Sequence, residues 1–150
     1  MNAKENTCAF SVRSNQMAID LERFGIIPNK TYATHFLPDN IPSAFLVDFL
    51  RGYVDGDGSL YFVVKTDTFH LSITSHYLTM TDNFRDIVYQ LLGTPERSAE
   101  HSSTFYNNTA KFTLNGLEAY NFSALLYENA EIYCQRKYEK YLLAKQKFTL

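Results

Sequence analysis

The stretch of sequence that decides the fold of this protein is FLRGYVDGDGSLYF, which runs from Phe49 to Phe62. Its glycines Gly52 and Gly56 are four residues apart, so they stack on one face if the segment is helical. A glycine inside a helix costs about 1 kcal/mol relative to alanine, so a compensating interaction is expected. Because neither glycine has a Cβ atom, a second helix can approach that face almost to backbone contact. The spacing therefore predicts a closely packed pair of helices.

Asp57 lies where this helix must stop, between Gly56 and Gly58. A carboxylate at a helix C-terminus faces partial negative charge, which is unfavourable unless a cation binds there. If two such helices pack in parallel, two copies of this aspartate meet at one end of the pair. Paired carboxylates of this kind can share divalent metal ions, so the sequence indicates a metal site that two helices build together.

Two other interpretations of the acidic stretch are weaker. An EF-hand loop starting at Asp55 would need Gly and Glu where the sequence has Leu60 and Thr66. A tight acidic turn between a helix and a strand accounts for the Asp-Gly pairs but leaves Gly52 unexplained.

The composition is that of an ordinary globular domain. The chain has 150 residues, of which 45% are hydrophobic and 20% charged, enough for one sizeable core. Its net charge of −2 argues against a nucleic-acid partner, because DNA-binding proteins usually carry a basic surplus. However, residues 101–150 hold six basic and four acidic residues, so net charge does not settle the partner. Neither the two cysteines nor the four histidines have zinc-ligand spacing. The two cysteines are far apart in the sequence and are expected to be reduced thiols in an intracellular protein.

The pattern of apolar residues predicts an α+β fold. A helix led by Pro42 ends at the Asp-Gly stretch, and a period of two then predicts a hairpin from SLYFVVKTD and FHLSITSH. A helix from Ser75 to Gly93 precedes a second hairpin, SAEHSSTFY and TAKFTLNG, which turns at Asn107-Asn108. Two helices follow, over 117–128 and 131–147. The predicted order is αββαββα plus a terminal helix, with helices on one face of a four-stranded antiparallel sheet.

Residues 1–41 are predicted to form a separate strand-helix extension before this domain of residues 42–150. The strand covers Thr7 to Arg13, and the helix begins at a cap, Ser14 or Asn15, and stops at Gly25.

The first hairpin has one apolar and one polar face. Alternation places the apolar side chains together, towards the helices: Leu60, Phe62, Val64, Leu71 and Ile73. The opposite face is mostly polar and consists of Ser59, Tyr61, Val63, Lys65, His70, Ser72 and Thr74. Such a face is commonly just exposed to solvent, and the pattern alone favours that interpretation, although a sheet that reads base edges in a DNA major groove would show the same pattern.

The stretch from Leu50 to Gly58, LRGYVDGDG, resembles the nine-residue motif of the LAGLIDADG homing endonucleases. The similarity extends to the proline-led helix entry IPSAFLVDFLRGYVDGDGSLYF and to KFTLNG followed by a helix and YCQRKYEKY. It covers about residues 42–147, and the predicted αββαββα order matches the family's fold. Arg51, Tyr53, Val54 and Gly56 are departures from the motif.

This resemblance implies a site-specific, intron-encoded type of double-strand DNA endonuclease, a hydrolase whose curved sheet forms a saddle over a long recognition site. It implies that Asp57 is the catalytic, metal-binding carboxylate, that Gly56 adds its carbonyl, and that the cofactor is Mg²⁺ or another divalent cation such as Mn²⁺ or Ca²⁺. Asp55 is then a structural group at the helix end. Lys137 stands where the family places an assisting basic residue, although a solvated helix lysine explains it equally well, and Lys111 is a weaker second choice. The seven residues of the polar face become candidate DNA contacts.

The sequence contains only one such motif, which implies a homodimer with double-stranded DNA as its partner. Residues 7–36 look like the tail of a preceding repeat, so a split half of a two-motif enzyme and an inactive remnant remain open. So does a non-catalytic DNA- or RNA-binding protein of the same fold, such as an intron maturase with intron RNA as partner. A third hypothesis is an interaction protein that uses the glycine face only to dimerise. Neither a signal peptide nor a membrane span is indicated, and we expect a location in the cytoplasm or an organelle.

Overall fold

The structure, a computed structural model, describes residues 11–23, 41–99 and 103–149. Within the predicted N-terminal extension, residues 11–13 have no regular structure, so this part of the predicted strand is wrong; the rest of it lies outside the described residues. Helix α1 covers Asn15–Glu22, and Ser14 caps it by accepting a hydrogen bond of 3.2 Å from the Met17 backbone N–H. The helix buries none of its residues. The predicted stop at Gly25 lies outside the described residues.

Helix α2, Leu46–Asp57, follows a single 3₁₀ turn at Ser43–Phe45. The side chains of Leu50 and Val54 are fully buried, and their spacing of four residues places both on the face that meets the core. The helix ends at Gly58, whose N–H donates to the Val54 carbonyl at 2.9 Å. A Cβ atom on Gly58 would lie 2.7 Å from that carbonyl oxygen, so this position requires glycine.

The sheet is antiparallel, with the strand order β1-β2-β4-β3. The strands are β1 (Ser59–Val63), β2 (Thr68–Ser75), β3 (Thr104–Tyr106) and β4 (Thr109–Asn115). The register aligns Leu60 with Leu71 and Leu71 with Leu114, which puts the apolar residues of three strands on one face. The buried residues of this face are Leu60, Phe69, Leu71, Ile73, Ala110, Phe112 and Leu114.

The first hairpin is shorter than its sequence pattern predicts. Strand β1 ends at Val63, and residues 64–67 form the turn in which Asp67 adopts a φ of +46°. Val64 is therefore 96% exposed, and its predicted place on the apolar face is wrong. Lys65 likewise lies in the turn, not on the strand. The apolar run continues past the point where the chain reverses, and alternation alone cannot locate that point.

The rest of the domain follows the predicted order. Helix α3 covers Leu78–Leu91, α4 covers Gly116–Tyr127 and α5 covers Gln135–Phe148. The predicted turn at Asn107-Asn108 is confirmed, because both residues have a positive φ, as a two-residue hairpin turn requires. The strand predicted from Ser98 is wrong in its first part, since Pro95–Ala99 forms a 3₁₀ turn.

The helices pack on the apolar face of the sheet. Phe84 of α3 contacts Phe122 of α4 edge-to-face, with ring centroids 6.0 Å apart, and both rings are fully buried. Helix α5 packs on α4 and reaches strand β1. The opposite face of the sheet carries no described helix, so the α+β fold with helices on one face is confirmed. Among the described residues, no helix is long and apolar enough to span a membrane.

Candidate functional site

The two aspartates at the end of α2 occupy different environments. The half-buried Asp55 carboxylate accepts hydrogen bonds from the Tyr127 hydroxyl at 2.7 Å and from the Cys134 backbone N–H at 2.9 Å. Burial first, and then the hydrogen bond to Asp55, raises the pKa of Tyr127 above its ordinary value. Asp55 thus ties α2 to the end of α4 and the start of α5. The structural role expected for Asp55 is confirmed by these contacts.

Asp57, by contrast, is exposed at the last position of α2. No described residue donates a hydrogen bond to its carboxylate or forms an ion pair with it. The neighbouring Gly56 is also exposed. This pair therefore offers one carboxylate and one helix-end carbonyl to solvent, both of which are oxygen ligands suited to Mg²⁺.

A single copy of the chain does not provide a complete metal site within the described residues, where no group of three His, Cys, Asp or Glu side chains could hold an ion. Protein-bound Mg²⁺ commonly uses one or two carboxylates and completes its octahedron with water and substrate phosphate oxygens. Asp57 fits one of those carboxylate positions.

Lys137 lies beneath the same end of α2. Its side chain is only 3% exposed, and its ammonium donates hydrogen bonds to the carbonyls of Val54 at 2.6 Å and Asp55 at 2.7 Å. Both carbonyls belong to the last helical turn, and the Val54 carbonyl also accepts a hydrogen bond from the Gly58 N–H. Burial lowers the pKa of Lys137, while the negative charges of Asp55 and Asp57 oppose that shift. The interpretation of Lys137 as a solvated helix lysine is wrong.

A pocket of about 270 Å³ opens beside Lys137. It lies between the first residues of β1 and the first turn and a half of α5, and its lining consists of Gly58, Ser59, Leu60, Tyr61, Arg136, Lys137 and Lys140. Three cationic side chains around one pocket favour an anionic ligand such as a phosphate group. Sequence reasoning did not single out Arg136 or Lys140. Only the packing of α5 against β1 brings them to this position, although the basic C-terminal region of the sequence was a partial signal.

The glycine face of α2 is open. Gly52 and Gly56 are exposed, and a Cβ atom built on either of them would have no described atom within 4 Å. The helix partner that the glycine spacing predicts is therefore not found within the described part of this chain.

Arg51, the charged departure from the motif, has a structural explanation. Its guanidinium donates to the backbone carbonyls of Ile132 at 2.9 Å and Leu126 at 3.1 Å and pairs with the Asp48 carboxylate at 2.6 Å. Arg51 therefore joins α2 to the end of α4 and to the connection between α4 and α5. Together with Asp55 it fixes the position of the helix end.

The sheet face away from the helices, called the open face below, brings together six of the seven predicted DNA-contacting residues. The register pairs Ser59 with Ser72 and Tyr61 with His70, and the rings of that second pair stack with centroids 5.2 Å apart. The six residues are Ser59, Tyr61, Val63, His70, Ser72 and Thr74. Ser72 is only 4% exposed, because it lies on a central strand between neighbours. Strand β4 adds Lys111 and Thr113 to the open face. These two residues were not predicted to belong to it. Contact of these residues with DNA stays a prediction.

Comparisons of the chain with protein-family models, with curated proteins and with solved structures found no match.

Proposed function

We propose that this protein is a DNA endonuclease of the LAGLIDADG type, which acts as a homodimer and uses Mg²⁺ or a similar divalent cation. The observation that carries the proposal is the exposed Asp57 carboxylate at the end of a helix whose glycine face is open. This arrangement lacks a second helix and a second carboxylate, and a second copy of the chain supplies both. A twofold axis along the α2 pair brings the two Asp57 side chains together.

The proposed site divides its tasks among few residues. Asp57 binds the metal together with the Gly56 carbonyl, and the metal, when bound, activates water and stabilises charge on the phosphate. Arg136 and Lys140 attract a backbone phosphate to the pocket beside β1. Lys137 positions the end of α2 through its hydrogen bonds to Val54 and Asp55, and its positive charge lies near the developing negative charge.

The proposed substrate is double-stranded DNA with a long recognition site. The open face offers hydroxyl, imidazole and ammonium groups from three strands, which are the donors and acceptors that distinguish base pairs in a major groove. In a dimer, two such faces would lie side by side and favour a nearly palindromic site. The net charge of −2 does not oppose a DNA substrate, because Arg136, Lys137 and Lys140 concentrate positive charge near the proposed site.

A second candidate is a non-catalytic nucleic-acid-binding protein with the same fold. It is favoured by the polar open face, whose hydroxyl and imidazole groups can bind nucleic acid without a metal ion. In that case the open face binds nucleic acid, Asp57 has no catalytic task, and the phosphodiester backbone stays intact.

Cleavage after selection of a target separates these candidates. Duplexes bound by the full-length protein are selected from a random-sequence library in EDTA, and the enriched pool is then incubated with Mg²⁺. We expect metal-dependent double-strand cleavage that Asp57→Asn abolishes, a loss of at least about 100-fold for removal of a metal ligand. Asp48→Asn, the same change at the other end of α2, is the matched control and should retain cleavage.

Three outcomes would contradict the endonuclease or the role of Asp57 in it. Selection of a duplex that remains intact in Mg²⁺ and Mn²⁺ would favour the non-catalytic protein. Cleavage that survives in Asp57→Asn would show that the active site lies elsewhere. Failure to enrich any duplex at low salt would argue against the endonuclease and against a second candidate that binds duplex DNA.

A further inference from the structure

The open face carries aromatic rings at two opposite corners. At one corner Tyr61 of β1 stacks on His70 of β2, with ring planes 8° apart. At the other corner is Tyr106, the last residue of β3, whose side chain is 77% exposed. Tyr106 pairs with Thr109 and therefore points to the same side of the sheet as Thr109 and Lys111. These rings are not needed for the core, because the core lies on the other face.

Lys111 lies between the two corners. Its ammonium is 5.9 Å from the centroid of the Tyr61 ring, a cation–π arrangement that brings positive charge towards the first corner. Its backbone pairs with Thr104, which is two residues from Tyr106 on β3. Among the described strand residues, Lys111 is the only lysine or arginine. The open face is therefore rich in rings and has one cation on the line that joins them.

The register gives the length of this line. The Tyr61–His70 row continues to Asn115 on β4, whereas Tyr106 is opposite Thr109. With strand spacings and residue rises of ordinary size, the two corners are about 25 Å apart along the diagonal of the sheet. That distance is compatible with a nucleic-acid strand of several nucleotides, within the usual range of about 4 to 16 for single-strand binding sites.

We propose that the open face binds single-stranded nucleic acid, with bases stacked on Tyr106 and on the Tyr61–His70 pair and a phosphate at Lys111. Unpaired bases expose their π faces, whereas in a duplex those faces are covered by neighbouring base pairs, so these rings match single strands better than duplexes. Stacking also needs no large cationic surplus, which agrees with the net charge of −2. The site requires neither Asp57 nor a metal ion nor a dimer, so it can be tested in EDTA without cleavage, although it uses the same open face as the proposed duplex substrate.

Fluorescence anisotropy with the full-length protein in EDTA tests this site. The probes are labelled 20-mers of deoxythymidine and uridine, and the competitor is an unlabelled 20-base-pair duplex of mixed sequence. We expect both single strands to bind, the duplex to compete poorly, and log Kd to depend only weakly on log salt, since about one phosphate is neutralised. Tighter binding of the uridine strand would identify RNA as the source of the unpaired bases, and tighter binding of the deoxythymidine strand would identify DNA.

Tyr106→Leu should weaken binding by about 5- to 150-fold, which is the loss of affinity expected when one base–aromatic stacking interaction is removed. Tyr61→Leu should weaken binding by a similar factor. Phe105→Leu is the matched control, because Phe105 is on the same strand but pairs with the buried Ala110 and faces the opposite side. Circular dichroism should show that all three variants keep the wild-type melting temperature within a few degrees. Equal affinity of wild type and Tyr106→Leu, or a duplex that competes as well as a single strand, would overturn the proposal.

Discussion

The Lys137 ammonium on α5 donates hydrogen bonds of 2.6 Å and 2.7 Å to the Val54 and Asp55 carbonyls in the last turn of α2. The residues are more than eighty positions apart in the sequence, and this contact joins the C-terminal helix to the acidic motif. It places a buried ammonium close enough to the exposed Asp57 for the two side chains to interact electrostatically. The end of α2 is therefore held by tertiary contacts from α4 and α5, while the Asp57 side chain remains exposed.

Removal of the Lys137 ammonium should destabilise the protein. Lys137→Met removes the ammonium donor from the part-buried Asp55 carbonyl and from the buried Val54 carbonyl, which keeps its hydrogen bond from the Gly58 N–H. We expect a loss of about 1–3 kcal/mol in the free energy of unfolding. Lys140→Met, an exposed lysine one turn away, should change stability by less than about 0.5 kcal/mol. Urea unfolding followed by circular dichroism measures both. Equal stability of the two variants would mean that the helix end does not depend on Lys137.

Substitutions of the two aspartates of the motif should have different effects on the stability of the protein. Asp55→Ala removes the acceptor for the Tyr127 hydroxyl and the Cys134 N–H, and it should lower the free energy of unfolding by about 1–3 kcal/mol. Asp57→Ala removes an exposed carboxylate, so it should leave stability nearly unchanged or slightly raised, because that charge opposes the helix dipole. Thermal unfolding of both variants tests this. A large loss of stability in Asp57→Ala alone would contradict the assignment of roles.

Substitution on the glycine face should have opposite effects on the single chain and on the dimer. Gly52→Ala meets no described atom within 4 Å, so it should raise helix stability by up to about 1 kcal/mol if the chain is monomeric. If two α2 helices pack through this face, the added methyl groups should weaken the dimer. Light scattering over a range of protein concentrations measures the mass of wild type and variant. A monomeric wild type with a stabilised variant would refute the homodimer.

Gly58→Ala is the contrasting variant for that experiment. Its Cβ atom would lie 2.7 Å from the Val54 carbonyl oxygen, which is backbone and cannot move freely. We expect destabilisation by about 1–3 kcal/mol, the cost of forcing extra volume into a packed site. A neutral effect would show that the end of α2 yields more easily than its close contact suggests.

Alkaline pH should weaken the contact between Tyr127 and Asp55. Burial, and then this hydrogen bond, raises the pKa of Tyr127 above 10.0, so the folded protein holds the proton more tightly than the unfolded chain does. The corresponding stability is complete below about pH 10 and is lost as pH rises above it. Tyr127→Phe should be less stable than wild type at pH 7, and the difference should narrow above about pH 10. Urea midpoints at a series of pH values follow this, and a constant difference up to about pH 11 would contradict the shift.

The sequence could predict most of the fold because each element has a local signal. Alternating residues in β1 and β2 face opposite sides, so the pattern alone separates Leu60 and Leu71 from Tyr61 and His70. Asn107-Asn108 specifies its turn because asparagine tolerates a positive φ. The end of β1 was missed because Val63 and Val64 are equally apolar, and only the pairing of Val63 with Thr68 fixes where the chain reverses.

The candidate site likewise has one part that the sequence predicts and one part that it does not. The sequence by itself determined that a glycine-faced helix ends in an aspartate, since spacing and residue type are local properties. Only the tertiary structure decided that the Asp55 carboxylate is hydrogen-bonded while Asp57 is exposed. It also decided that Lys137 is buried, and that Arg136 and Lys140 line a pocket together with the start of β1. The physical reason is that burial and hydrogen bonding depend on which distant segment packs against a residue. Here that segment is α5, whose position is set by the whole core and not by its own sequence pattern.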